Sequence, residues 1–265
     1  MRIAIVVSVV ATLTACSTPP VNPSPAVVAA VAPTGTLRAA INVGNPVLAH
    51  QDATTGEARG VSVDLSRELA QRLGVALSLV TVPTAAKSVE AIKSGACDIA
   101  FVAIDPARAV DLDYTAPYVL IEGAFLVPQA SPIQSNAQVD QPGVRVVVGA
   151  ASAYDLYLAR ELQHAQLVRV PTSKEVVQTM LDRRLEVAAG VKQQLQADAK
   201  RVAGVRLLDG RFMVINQALV TAKGRGPAAG YLAAFIEAMK ASGFVAQALA
   251  QHGIEGAVVA PLAGK

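Results

Sequence analysis

The chain has 265 residues, 52% hydrophobic and 16% charged, with no tryptophan and a net charge of +3. That length holds two modest lobes with real cores. The densest basic run, Lys192 to Arg211, is interrupted by Asp198 and Asp209 and has no interleaved aromatic residue, so it reads as a solvated face and excludes nucleic acid as a partner. At the N-terminus, Arg2 supplies a positive flank and Ile3 to Leu13 an apolar core. Such a segment has signal-peptide length and is too short to span a bilayer.

The segment ends in Leu13-Thr14-Ala15-Cys16, which resembles a bacterial lipobox. The resemblance implies removal of residues 1–15 and acylation of Cys16 on its thiol and new amino terminus. More than one acyl chain gives stable membrane anchoring, so the expected location is the periplasm, lipid-anchored to a membrane. Cys97 then has no disulfide partner and reads as an inert core residue. Residues 16–35 include Pro19, Pro20, Pro23, Pro25 and Pro33 among small residues, the composition of a semi-extended tether.

Folding is expected to begin near Thr36, with a strand over Leu37 to Val43 stopped by Gly44-Asn45-Pro46. In GVSVDLSRELAQRLG, Val61, Leu65, Leu69 and Leu73 recur every four residues, Ser62 can cap the start and Gly74 can close the end. Val75 to Val82 reads as a strand, Thr84 to Ser94 as a helix, and CDIAFVAI from Cys97 as a buried strand. The alternation is that of a parallel sheet with helical crossovers. After Val127 the polar stretch Pro128 to Gly143 reads as a connection. A second alternation follows, with strands at Val144 to Val148, Leu167 to Val170 and Leu185 to Ala189. Helices are expected over Ser152 to Leu162, from a capping box at Thr172-Ser173-Lys174-Glu175 to near Arg184, and from Lys192 to Ala199. Phe212 to Ala222 reads as a return strand before helices at Ala229 to Met239 and Phe244 to Gln251.

Between CDIAFVAI and the apolar run YVLIEGAFLV lies Asp105-Pro106-Ala107-Arg108. Asp at a helix N-cap and Pro at the first helical position place Arg108 just beyond the carboxyl end of a buried strand, where ligands collect in open α/β sheets. A guanidinium offers a planar fork of donors to a carboxylate or phosphate. From these residues alone, Arg108 either pairs with Asp105 or Asp111 on a solvated face, or holds a ligand.

Ile104-Asp105-Pro106-Ala107-Arg108 followed by Asp113-Tyr114-Thr115-Ala116-Pro117-Tyr118 resembles the signature of the family 3 extracellular solute-binding proteins, polar amino acid receptors of ABC importers. Gly60-Val61-Ser62-Val63-Asp64-Leu65 follows that family's N-terminal pattern. The resemblance implies a two-lobed α/β periplasmic-binding-protein fold of type II, with two crossings placed near Pro128 and Asn216. Lobe 1 is then residues 36–127 plus 217–258, and lobe 2 residues 128–216. It implies a monomeric receptor that takes a small carboxylate-bearing solute on Arg108 and presents it to an ABC permease, without a cofactor. It also points to the turn Gly149-Ala150-Ala151-Ser152-Ala153, where free backbone N–H groups and a helix dipole would attract a carboxylate.

The chain departs from the family in three places. The turn before Arg108 is two residues shorter and lacks hydroxyl residues. The first loop, Asn45-Pro46-Val47-Leu48, has no aromatic residue, leaving His50 and Asp52 as the nearest polar replacements. Where amino acid receptors place an acid for the ligand's ammonium, this chain has Gly190-Val191-Lys192, so a cation is expected to face the cleft and an organic acid becomes a candidate ligand. The candidate binding residues are therefore Arg108, Asp105, Tyr118, Ala151, Ser152, Lys192 and His50. The family also includes cyclohexadienyl dehydratases, which need a protonated carboxylic acid beside a bound dicarboxylate. Glu122, alone in an apolar strand, is the candidate, with burial expected to raise its pKa. A sensor lobe for a membrane partner is the third reading.

Overall fold

The computed structural model describes residues 23–264; the signal segment and Cys16 lie outside the described residues. The first described element is not a tether. Pro25–Val31 forms helix α1, with Pro25 at its first turn and the Ser24 hydroxyl accepting from the Val27 N–H at 3.3 Å. Val31 and Ala32 are buried in the core that helix α7 also enters. Composition suggested an extended segment because of its prolines, but a Ser-Pro start is also a helix start, and VVAAV gives the helix an apolar face to bury.

Lobe 1 continues with β1 (Thr36–Asn42), the hairpin β2 (His50–Gln51) and β3 (Ala58–Arg59), α2 (Val61–Leu73), β4 (Ala76–Val82), α3 (Ala85–Lys93), β5 (Ile99–Ala103) and β6 (Leu112–Tyr114). Strand β7 (Val119–Pro128) leads into lobe 2, which holds β8 (Arg145–Gly149), α4 (Ala153–Glu161), β9 (Gln166–Val170), α5 (Val176–Asp182), β10 (Val187–Val191), α6 (Lys192–Arg201) and β11 (Val205–Leu207). The chain returns through β12 (Met213–Ala222) to α7 (Pro227–Ala241), α8 (Phe244–Gln251) and β13 (Val258–Val259).

One sheet runs through both lobes in the order β4-β1-β5-β12-β7-β10-β8-β9. Each lobe has three parallel strands, β4-β1-β5 or β10-β8-β9, flanked by an antiparallel crossing strand. The inner parallel strands β1, β5, β8 and β10 are mostly buried, which explains their continuous apolar runs, while the outer strands β4 and β9 are partly exposed. Alternate residues feed opposite cores: Phe101 and Ala103 of β5 face one, Ala100 and Val102 the other. In lobe 2, Val146 and Val148 face one core and Val147 the other.

The first crossing lies inside β7 rather than at Pro128. Its residues Val119 to Gly123 pair with β12, and Gly123 to Leu126 pair with β10. An apolar run carries no mark of where a strand changes partners. In the return strand, β12 passes from β7 to β5 at Gln217.

Three local expectations change. Gly60, not Ser62, caps α2; its φ is 131°, and a Cβ there would lie 2.4 Å from the Leu48 carbonyl oxygen. Asp105 starts a turn rather than a helix, its Oδ1 accepting from the Ala107 N–H at 2.8 Å. The Thr172 hydroxyl donates to the Glu175 carboxylate at 2.7 Å instead of capping backbone, and a 3-10 turn over Ser173–Glu175 precedes α5. Gly60→Ala is expected to cost more than about 1 kcal/mol, since both the positive φ and the carbonyl contact exclude a side chain. Urea unfolding measures this; an unchanged midpoint would show that the loop before α2 yields freely.

Candidate functional site

The carboxyl ends of the six parallel strands face each other across a cleft between the lobes. From lobe 1 it is lined by the loop after β1 (Asn42 to Leu48), the start of α3 and the end of β5 with Arg108. From lobe 2 it is lined by the turns after β8, β9 and β10. The part of the cleft that the centre of a water-sized sphere can reach is ≈ 50 Å³. This is where parallel-strand topology leaves backbone and side chains free for a ligand. Close packing shapes the lobe 1 wall: a Cβ on Gly44 would lie 2.0 Å from the Pro83 carbonyl oxygen.

Among the described residues Arg108 is the only buried arginine, with 6% exposure. Its Nη1 donates to the Ala103 carbonyl at 3.1 Å and its Nη2 to the Ala151 carbonyl at 2.8 Å. Ala103 ends β5 in lobe 1 and Ala151 stands before α4 in lobe 2, so the guanidinium bridges the cleft. Both partners are neutral. Burial lowers its pKa from the usual value, opposed by nearby Tyr114 and Asp105, yet an arginine remains charged at physiological pH.

The other residues singled out from sequence fall into distinct places. Asp105 is buried, and its Oδ2 lies 3.0 Å from Arg160 of α4. It makes a second bridge between the lobes and does not line the cleft. Ser152 lines the cleft, but its hydroxyl accepts from the Asp155 N–H at 3.1 Å as the cap of α4. The neighbouring N–H groups are less free than the sequence suggested. Ala150 donates to Val170, Ser152 to Gly149, and Ala151, at φ 53°, to the Asp155 carboxylate at 2.8 Å. Asp155 thus occupies much of the anion-attracting end of this helix.

Besides Asp105 and Ala151, three more candidates lie outside the cleft lining. Tyr118 is fully buried in lobe 1, its ring edge-on to Phe101 at 5.7 Å; only Phe101 reaches the cleft. His50 is exposed on β2, with its ring 6.3 Å from His252. Lys192 does not present its charge to the cleft, because its Nζ lies 2.7 Å from Glu122. Glu122 also takes Arg211 at 2.7 Å on its other oxygen. These two hydrogen bonds pull the Glu122 carboxyl below its ordinary range, the reverse of the shift a general acid needs. A strand glutamate looks isolated in sequence when its partners lie 70 and 89 residues away.

Gln217 was not singled out from sequence, yet it lines the cleft at 4% exposure, and its Oε1 has no hydrogen-bond partner. A polar residue inside FMVINQALVTA was the available signal. Tyr154 and Ser173 also line the cleft, hydroxyl to hydroxyl at 2.7 Å.

Residues 37–254 match the model of the bacterial extracellular solute-binding proteins, family 3. The chain belongs to that family. Among solved structures, a solute receptor for L-cysteine from Neisseria gonorrhoeae is 23% identical, with a TM-score of 0.75 over 86% of this chain and 94% of the other. A putative binding component of an ABC transporter from Wolinella succinogenes, complexed with lysine, is 21% identical, with a TM-score of 0.71 over 82% and 95%. An ancestral amino acid-binding protein, a precursor of cyclohexadienyl dehydratase, is also 21% identical, with a TM-score of 0.71 over 84% and 98%. At such identities these likenesses establish the shared fold. No curated protein sequence matches this chain. The family's members are solute-binding proteins outside the cytoplasm, and the two-lobed α/β architecture of this chain is theirs.

The Glu122 cluster has a pH signature. A carboxyl held below its ordinary range contributes stability above that range and loses it as pH falls through the lowered value. The stability difference between wild type and Glu122→Gln should therefore be constant above about pH 5.5 and shrink as pH falls below the usual carboxylate value. Urea titrations of both proteins from pH 7 to 3 measure it. A difference that grows on acidification would mean that Glu122 is protonated in the folded state.

Proposed function

We propose that this chain is the extracytoplasmic receptor of an ABC importer, closing its lobes on a small carboxylate-bearing solute and presenting it to a permease. The observation that carries this reading is Arg108, a buried guanidinium at the cleft whose hydrogen bonds go only to neutral carbonyls. Two donors are used; a planar fork of five leaves others for a carboxylate in a site where water is scarce. Ligand charge would offset the cost of burying the guanidinium, favouring the closed arrangement in which both lobes touch Arg108.

The chemistry favours capture over turnover. Glu122, the acid suggested for a dehydratase, is ionised between two cations and lies outside the cleft lining. A lipid on Cys16 would hold the receptor at a membrane surface near its permease, and a monomer suffices for this role.

Arg108→Ala should weaken binding of a carboxylate ligand by about 2–4 kcal/mol, roughly 30- to 1,000-fold. Titration calorimetry on refolded, solute-free protein is the measurement, and unchanged affinity would overturn the assignment. Separately, Cys16→Ser should shift the protein from the membrane to the soluble extracytoplasmic fraction on fractionation. A protein that remains with the membrane would contradict the lipid anchor.

A further inference from the structure

The cleft has a charge balance that a zwitterion upsets. Among the described residues, Arg108 is the one charged side chain that lines it. Three acids on surrounding elements have cations of their own: Asp105 has Arg160 at 3.0 Å, Asp155 has Arg169 at 2.9 Å, and Glu122 has Lys192 and Arg211 at 2.7 Å. Glu161 of α4 and Glu175 beyond β9 do not line the cleft. A carboxylate against Arg108 brings the cleft to neutrality. An ammonium on the same ligand would be a second buried cation with no carboxylate facing it, which a low-dielectric site penalises.

Gln217 supplies an independent observation. It sits where β12 passes from β7 to β5, on the same strand face as Ile215 and Leu219. Its carboxamide is enclosed at 4% exposure, and Oε1 accepts no hydrogen bond. A buried acceptor left unpaired is costly, so a group that donates to it gains that cost back on binding. A hydroxyl fits, because it can donate to Oε1 and accept from the amide nitrogen. Much of the rest of the lining is apolar, including Pro46, Leu48, Phe101, Leu195 and Ile215.

We propose that the cleft selects small monoanionic hydroxy acids with an apolar body over the corresponding amino acids, with Gln217 reading the hydroxyl. The proposal rests on the receptor reading above for the role of Arg108. An oxo acid can accept from the Gln217 amide but leaves Oε1 unpaired, and an unsubstituted acid engages neither atom.

The test is titration calorimetry of the refolded mature chain with matched ligands sharing an isopropyl or isobutyl body: the 2-hydroxy acid in both enantiomers, the 3-hydroxy acid, the 2-oxo acid, the unsubstituted acid and the L-amino acid. A hydroxy acid should bind about tenfold or more tighter than the amino acid, with the oxo and unsubstituted acids weaker than the hydroxy acid. Gln217→Leu should reduce hydroxy acid affinity about tenfold, to that of the unsubstituted acid, while unsubstituted acid affinity stays within about threefold. An amino acid that binds as tightly as the hydroxy acid overturns this proposal and leaves the receptor reading standing. A Gln217→Leu effect equal on all ligands, or absent, removes Gln217 from the discrimination. Absence of binding by every anion in the wild type overturns the receptor reading, and the proposal with it.

Discussion

A guanidinium taken out of water without a carboxylate partner is the constraint around which the cleft is built. Arg108 is held by the Ala103 carbonyl at the end of β5 and the Ala151 carbonyl before α4. Those two hydrogen bonds join the lobes, but neutral carbonyls compensate a buried charge less fully than an anion does. Among the described residues, no carboxylate pairs with the Arg108 guanidinium. Asp105 stands close enough to oppose the lowering of the Arg108 pKa, yet its own carboxylate is committed to Arg160 and to the Ala107 N–H.

The sheet explains why the constraint falls there. Two sets of three parallel strands present their carboxyl ends to each other because β7 and β12 run through both lobes as antiparallel neighbours. Along the main path of the sheet each crossing strand exchanges one neighbour for another, β7 at Gly123 and β12 at Gln217. Gly123 has no side chain where the Met213 and Phe212 side chains close in, since a Cβ would lie 2.7 Å from Met213. Gln217 uses its exchange point differently, holding a carboxamide at the floor of the cleft.

Beside β10, the Glu122, Lys192 and Arg211 cluster keeps two cations on an acid of their own. Lys192 opens α6 directly after the strand end that lines the cleft, a position from which a long side chain could have reached a ligand. Its ion pair with Glu122 is about 30% exposed on each side, so its main consequence is to set the direction of charge rather than to add much stability. Among the described residues, Arg108 is then the one charged side chain that lines the cleft.

Much of this protein was legible in its sequence. Hydrophobic runs bounded by glycine, proline and capping residues placed most of the core strands and helices, because burial on two faces demands continuous apolar residues and a helix demands one apolar stripe. Arg108 was legible because its signature is local, a turn directly after a buried strand. Partnership was not legible. The acid that takes Lys192 lies 70 residues away in sequence, the carbonyl that takes Arg108 lies 43 away, and Asp155 uses an N–H group that the turn at Ala151 seemed to leave free. Tyr118 and His50 carry suitable chemistry but are turned into the core or left on the surface. The crossing at Gly123 depended in the same way on neighbours that no local pattern names, whereas helix α1 had a local signal in its Ser24-Pro25 start. The sequence by itself determined the α/β class and most of the core elements in their order, because those follow from periodicity and near-neighbour chemistry. The two lobes and the ligand role of Arg108 were what the family resemblance implied. The tertiary structure alone decided which charges are neutralised and which polar atoms remain unpaired at the cleft, because those depend on side chains brought together from distant parts of the chain.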